Sequence, residues 1–164
     1  MQPLIITSKV RNYEVLFSGK HAISKYIKDQ QDIGACFVID CNVWKLYSTD
    51  IFHCIDPSKL IIIDAKEDNK TYETVLTLYE KFIEYSINRR SAIITIGGGI
   101  TQDIVGFACS TFYRGVDWVF IPTTLLAQAD SCIGGKTSLN LAGYKNVIGT
   151  FYPPTQVMIC IDFL

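Results

Sequence analysis

The 164-residue chain is 49% hydrophobic with a formal charge of -1, enough apolar mass for one core and no broad basic field. Without a Lys/Arg run interleaved with aromatics, nucleic acid is not expected as a partner. No uncharged apolar stretch approaches the roughly 18 residues of a membrane span, and Met1-Gln2-Pro3-Leu4-Ile5-Ile6-Thr7 lacks the charged and apolar regions of a leader, so a cytoplasmic location is expected.

Leu4 to Thr7 and Tyr13 to Phe17 are β-rich runs that predict a hairpin. His21 to Gln31 keeps helical spacing at Ile23, Tyr26 and Ile27, and Gly34 stops it before the strand Cys36 to Asp40. Asn42 to Ser48 is weakly helical, and Leu60 to Asp64 is a further apolar strand. Thr71 to Asn88 predicts an amphipathic helix with Val75, Leu76, Tyr79, Phe82, Ile83 and Ile87 on its apolar face. After the strand 93–97, Gln102 to Tyr113 reads as a buried helix, followed by strands at Trp118 to Ile121 and Val157 to Asp162. Strands alternating with helices predict a single α/β domain over 1–164, a mostly parallel, Rossmann-like sheet covered on both faces. Six cysteines without a Cys-x-x-Cys pair read as small residues of a reduced protein, without disulfides.

The most informative stretch is Ile93 to Asp103, an apolar run that empties into Gly97-Gly98-Gly99 and reaches an acid at Asp103. A buried strand ending in bare backbone is where open α/β sheets bind ligands, and exposed N-H groups before a helix attract a pyrophosphate. The dinucleotide fingerprint fails by one residue, because Gln102 stands where it needs glycine; a phosphate loop fails likewise at Asp130, ahead of Gly135-Lys136-Thr137. A tight turn packing a helix closely on a strand is the other reading of the glycines.

Acids and hydroxyls recur after the strands: Asp40 with Asn42, Asp64 with Glu67, Asp103, Thr123 with Thr124, and Asp162. If the strands are parallel, these lie along one edge, the expected crevice. An acid at the end of the second strand is suited to ribose hydroxyls, and Asp40 or Asp64 is alternatively suited to capping a helix. Residues 123–152 read as a glycine-dotted binding loop in which Asp130, Lys136, Lys145 and Asn146 suit an anionic, polyhydroxylated ligand. Both lysines are equally compatible with plain surface positions.

The ordered motifs Gly97 to Asp103, Phe112-Tyr113-Arg114-Gly115-Val116, Pro122 to Ser131, Gly134-Gly135-Lys136-Thr137 and Lys145 to Phe151 closely resemble the 3-dehydroquinate synthases among the sugar phosphate cyclases. The resemblance runs through essentially the whole chain and is densest from about residue 92 to 164. It implies NAD in an N-terminal α/β domain, a divalent metal (zinc or cobalt) held by a glutamate and two histidines of a C-terminal helical domain, and a homodimer. It further implies Asp40, Asn42, Glu67 and Lys70 at the adenosine end, and Gly97, Gly98, Gly99 and Asp103 around the pyrophosphate and nicotinamide ribose. Thr123, Thr124, Lys145 and Phe163 would touch other parts of NAD; Asp130, Lys136 and Asn146 would face substrate; Arg114 would reach the neighbouring subunit's substrate phosphate.

By that likeness the substrate, 3-deoxy-D-arabino-heptulosonate 7-phosphate, is transiently oxidised by NAD, loses phosphate, is reduced and closes to 3-dehydroquinate, a lyase step of the shikimate pathway to aromatic amino acids. The chain departs from the family in having only His21 and His53, with no ligand spacing between them. It is therefore expected to be the NAD-binding half, excised or truncated, binding NAD weakly and inactive alone. Rival readings are a sister cyclase of the 2-deoxy-scyllo-inosose or epi-valiolone synthase type, a glycerol dehydrogenase-like protein, or a non-catalytic nucleotide-binding module.

Overall fold

The computed structural model describes residues 2–164; Met1, the first residue of the stretch read for a leader, lies outside them. Nine strands and four helices follow in the order β1 (Leu4–Ile6), β2 (Tyr13–Phe17), α1 (Lys20–Asp32), β3 (Cys36–Asp40), α2 (Cys41–Tyr47), β4 (Leu60–Ile63), α3 (Tyr72–Glu84), β5 (Ile93–Gly97), α4 (Gly99–Thr111), β6 (Trp118–Pro122), β7 (Lys136–Leu141), β8 (Tyr144–Phe151) and β9 (Gln156–Ile159). Seven form one sheet in the order β1-β2-β9-β6-β5-β3-β4. Every pairing in it is parallel except β1 with β2.

Continuous apolar runs become central strands because both their faces are covered. In β5, Ile93 joins the layer beneath α3 and α4 with Val75, Leu78, Phe82, Ile104 and Val105. Its neighbours Ile94 and Ile96 face the opposite layer, with Ile23, Ile27, Val43 and Phe52. The helical spacing of α1 seats Ile23 and Ile27 in that second layer at 0% exposure.

The topology also fixes where a crevice opens. From β3 the chain crosses outward to β4, whereas from β5 it crosses in the other direction to β6. Adjacent strands whose connections part in this way leave a gap beyond their C-terminal ends. Asp40 ends β3 and Gly97 ends β5, with Gly98 and Gly99 leading directly into α4, so they flank that gap.

Three expectations need correction. The helix read over 71–88 stops at Glu84, Ser86 taking a φ of 56°. Its buried residues are Val75, Leu78 and Phe82, while Leu76 and Ile83 are exposed at 54% and 66%, so the apolar face is rotated from the expected one. The helix read from Gln102 begins at Gly99 and ends at Thr111. Residues 123–152 are not a loop but a π-turn, Ala127–Ser131, followed by the antiparallel hairpin β7–β8. Ala142 and Gly143, both at positive φ (52° and 81°), close that hairpin, as a two-residue turn of the type-I′ kind requires. The hairpin lies on α4: Leu139 is fully buried, and a Cβ on Gly106 would stand 2.7 Å from Thr137 Cγ2.

All six cysteines are free thiols. Burial pushes the Cys36 thiol up to about 12 and raises that of Cys109 well above the ordinary cysteine value, so these two behave as small apolar side chains.

Candidate functional site

The glycine turn is built for close approach. A Cβ on Gly97 would fall 2.7 Å from Thr101 Cβ and closer still to its Oγ1, and one on Gly98 would fall 3.0 Å from Thr124 Cγ2. Side chains of α4 and of the segment after β6 thus already fill the space a larger residue would need. Gly98 precedes α4 with no side-chain cap, so the first N-H groups of α4 lack a side-chain acceptor.

Two cavities meet at Gly99 and Ile100. The first, about 350 Å³, is lined by Asp40, Asn42, Tyr47, Gly98, Thr101, Thr123, Thr124 and Phe163, among others. Asp40 Oδ1 accepts from the backbone N of Asn42 at 2.7 Å and of Val43 at 3.3 Å, so Asp40 does cap α2, with Oδ1 taking both bonds. Phe163 is buried there, edge-on to Tyr47 with ring centres 5.1 Å apart. The hydroxyls of Thr101 and Thr123 are buried in this wall without a hydrogen-bond partner, a costly state that a ligand acceptor or donor would relieve.

The second cavity, about 720 Å³, is lined by Lys70, Gln102, Asp103, Asp130, Ser131, Lys136, Ser138, Asn146 and Phe151, among others. Lys70 is its anchor: Nζ donates to Asp103 Oδ2 at 2.9 Å and to Asn146 Oδ1 at 2.5 Å. Burial pushes the Asp103 carboxyl above the ordinary aspartate value, and the Lys70 bond only partly offsets it. Asp130 sits on the π-turn, which Gln102 holds reciprocally: its Nε2 donates to Ser131 O at 2.6 Å, and Ser131 Oγ donates to Gln102 Oε1 at 2.9 Å. Gln128, nearly buried, donates to the carbonyls of Pro122 (3.1 Å) and Cys160 (2.7 Å), tying the turn to β6 and to the segment bearing Phe163.

The expected residues therefore divide. Asp40, Asn42, Gly98, Gly99, Thr123, Thr124 and Phe163 share the first cavity, with Gly97 buried beneath it. Lys70, expected beside Asp40, instead lines the second with Asp103, Asp130, Lys136 and Asn146. Glu67 and Lys145 flank a third hollow of about 290 Å³, with Lys145 Nζ 3.8 Å from Glu67 Oε1. Arg114 lines none of these; it is exposed on the turn after α4, at a φ of 65°. Sequence reasoning missed Thr101, Ser131 and Ser138 as wall residues. The signal for Thr101 was its place in the first turn of the helix that follows the glycines.

Among the described residues, no three His, Cys, Asp or Glu side chains converge as a metal site, and no helix is long and apolar enough to cross a membrane.

Residues 60–164 match the family model described as 3-dehydroquinate synthase N-terminal. The chain belongs to this family. A 3-dehydroquinate synthase from Ruminiclostridium cellulolyticum is 41% identical over 96% of this chain and 45% of the relative; one from Streptococcus equi subsp. equi is 34% identical over 99% and 46%. The chain thus spans a little under half the length of these 3-dehydroquinate synthases. Among solved structures, 2-epi-5-epi-valiolone synthase from Streptomyces hygroscopicus, with NAD+ and Zn2+ bound, superposes with a TM-score of 0.84 at 29% identity, over 98% of this chain and 46% of that one. A 2-deoxy-scyllo-inosose synthase complexed with carbaglucose-6-phosphate, NAD+ and Co2+ gives 0.82 at 28%, over 99% and 47%. The sequence-based family resemblance and the mostly parallel α/β sheet are both borne out.

Proposed function

We propose that this chain is the NAD-binding part of a 3-dehydroquinate synthase, acting on 3-deoxy-D-arabino-heptulosonate 7-phosphate. The observation that carries the reading is the pair of orphaned hydroxyls, Thr101 and Thr123, in a cavity walled by glycine backbone at the head of α4. That wall suits a dinucleotide: uncapped helix N-H groups and two free hydroxyls for the pyrophosphate, and the Asp40 carboxylate for ribose hydroxyls. Identities of 34–41% to proteins named 3-dehydroquinate synthase, against 28–29% to the two sister cyclases, favour that substrate over theirs.

In this reading NAD, when bound, supplies a reversible hydride acceptor. The chain's own residues bind and orient. Asp40, Asn42, Thr123, Thr124 and Phe163 hold the dinucleotide in the first cavity, and Asp103 accepts from its second ribose. Lys136 offers an ammonium to a substrate carboxylate or phosphate, while Asp130 and Asn146 hold substrate hydroxyls. Arg114, exposed and lining neither cavity, serves the neighbouring subunit of a homodimer. The residues here do not fit a metal site, so no step is assigned to one, and we expect no turnover by this chain alone.

Calorimetric titration with NAD tests the proposal. Saturable heat that Thr123→Val or Asp40→Ala removes supports it; no heat with the intact chain overturns it. Phosphate release from the heptulosonate phosphate in the presence of NAD and zinc, by this chain alone, would overturn the claim of inactivity.

A further inference from the structure

Strands β7 and β8 are unequal across one stretch of their ladder. Leu139 faces Ile148 and Leu141 faces Tyr144, so Asn140 alone stands opposite Lys145, Asn146 and Val147. Extra residues on one strand bend it and re-aim its side chains. Asn146 takes a left-handed φ of 58° in this bulge, a conformation asparagine tolerates better than most residues.

One side chain holds the bulge in shape. Asn140 Oδ1 accepts from the Asn146 backbone N at 3.0 Å, and Asn140 Nδ2 donates to Glu67 Oε1 at 2.9 Å and to Glu67 O at 3.2 Å. The Asn140 backbone N donates to Lys70 O at 2.8 Å. The consequence is local and directional: with its backbone held, Asn146 points Oδ1 at Lys70 Nζ and at Ser138 Oγ, 2.8 Å away. Lys145, its neighbour, falls beside Glu67, whose carboxyl the Asn140 amide holds below the usual glutamate range. Asn140 itself touches neither of the two large cavities.

We propose that Asn140 is a positioning residue: acting through Asn146 and Glu67, it sets the β8 bulge that aims Asn146 into the second cavity and Lys145 towards Glu67. The side chain must supply an acceptor and a donor at once. An aspartate keeps the acceptor but sets a carboxylate against Glu67, and a leucine supplies neither.

The consequence for binding rests on the reading given under Proposed function, so the test has one arm free of it. Amide hydrogen exchange, followed by NMR on the full chain, compares wild type with Asn140→Ala and Asn140→Asp. The Ala variant should expose the Asn146 N-H by about tenfold or more. The N-H groups of Thr150, bonded to Thr137 Oγ1, and Tyr152, bonded to Gly135 O, should keep their protection. The Asp variant, with its acceptor intact, should restore protection at Asn146. Equal loss at all three amides would mean that Asn140 merely stabilises the hairpin, and no loss at Asn146 would mean that it holds nothing; either result overturns the proposal.

In the second arm, the heptulosonate phosphate, whose hydroxyls Asn146 holds in that reading, is titrated in the presence of NAD into wild type, Asn140→Ala, Asn146→Ala and the double variant. Asn140→Ala should weaken binding about fivefold, the worth of one positioned hydrogen bond, in wild type. In the Asn146→Ala background it should cost less than about twofold, because the residue through which it acts is gone. Equal costs in the two backgrounds refute action through Asn146. Absence of heptulosonate phosphate binding by wild type would instead sink the functional reading, and the exchange arm would still decide the role of Asn140.

Discussion

Lys70 Nζ lies 2.9 Å from Asp103 Oδ2, the lysine side chain 5% exposed and the aspartate 22%. The pair joins the turn after β4 to the second turn of α4, and through Asn146 it also reaches the hairpin. One ammonium thus fastens three separate parts of the chain around the second cavity.

Removing that charge alone should be costly. Lys70→Met keeps the stem and leaves Asp103, largely withdrawn from water, without its cation; loss of one partner from a buried pair costs about 3 kcal/mol or more. Replacing both partners, as Lys70→Met with Asp103→Leu, should recover at least half of that loss, since neither charge is then stranded. Urea unfolding followed by circular dichroism reads both values. A single-variant loss under about 1 kcal/mol, the range of surface pairs, would show that solvent already screens the contact.

Gly97 and Thr101 form a steric pair. Because a Cβ at Gly97 would meet Thr101 Cβ at 2.7 Å and Cγ2 at 2.9 Å, Gly97→Ala should destabilise the chain by about 1–3 kcal/mol. Thr101→Ala in the same chain should return more than half of this, because Thr101 Oγ1 has no partner to lose. Denaturant midpoints of the two single variants and the double measure the coupling, and simple additivity would contradict the pairing.

The parallel strands were legible because a strand covered on both faces carries little besides apolar residues, and Cys36 to Asp40 and Ile93 to Gly97 do so. The crevice was legible because Asp40, the glycines and Thr123 all end such runs. The hairpin was hidden: only Thr137 and Leu139 of β7 are buried, while Lys136, Ser138 and Asn146 face a cavity, so its alternation reads as polar loop. The face of α3 was misjudged because Leu76 and Ile83 are as apolar as the buried Leu78, and apolarity alone does not choose among them. The roles of Gln102 and Asn140 rest on amide bonds to groups far along the chain, Ser131 O for the one and Glu67 O and Oε1 for the other, which leave no local pattern.

Asp103 gives the pH dependence a definite sign. Burial raises its pKa in the folded chain above the unfolded value of about 3.9. Between those two values the folded state holds more protons than the unfolded one, so Asp103 makes stability fall as pH rises through that window. The penalty is absent below the unfolded value and complete above the folded one. Asp103→Asn should remove this contribution, which shows as a difference in the slope of unfolding free energy against pH between variant and wild type. Under the functional reading, NAD affinity should conversely fall as pH drops into the same window, because a protonated Asp103 loses an acceptor; an affinity flat down to pH about 4 would argue against that contact.

Gly149 and Gly143 both lie in the hairpin, yet they should respond to alanine for different reasons. At Gly149 a Cβ would stand 3.3 Å from Ser138 Cα and closer still to the Thr137 carbonyl oxygen, backbone that cannot move without parting β7 from β8. At Gly143 nothing lies within 4 Å of the added atom, and the strain is only that of an alanine at a φ of +81°. Gly143→Ala should therefore cost about 1–2 kcal/mol, the left-handed penalty. Gly149→Ala should cost about 3 kcal/mol, at the upper end of overpacking. Urea unfolding of the two variants decides the order, and a reversed order would mean that the hairpin is less tightly apposed at Thr137 than its geometry shows.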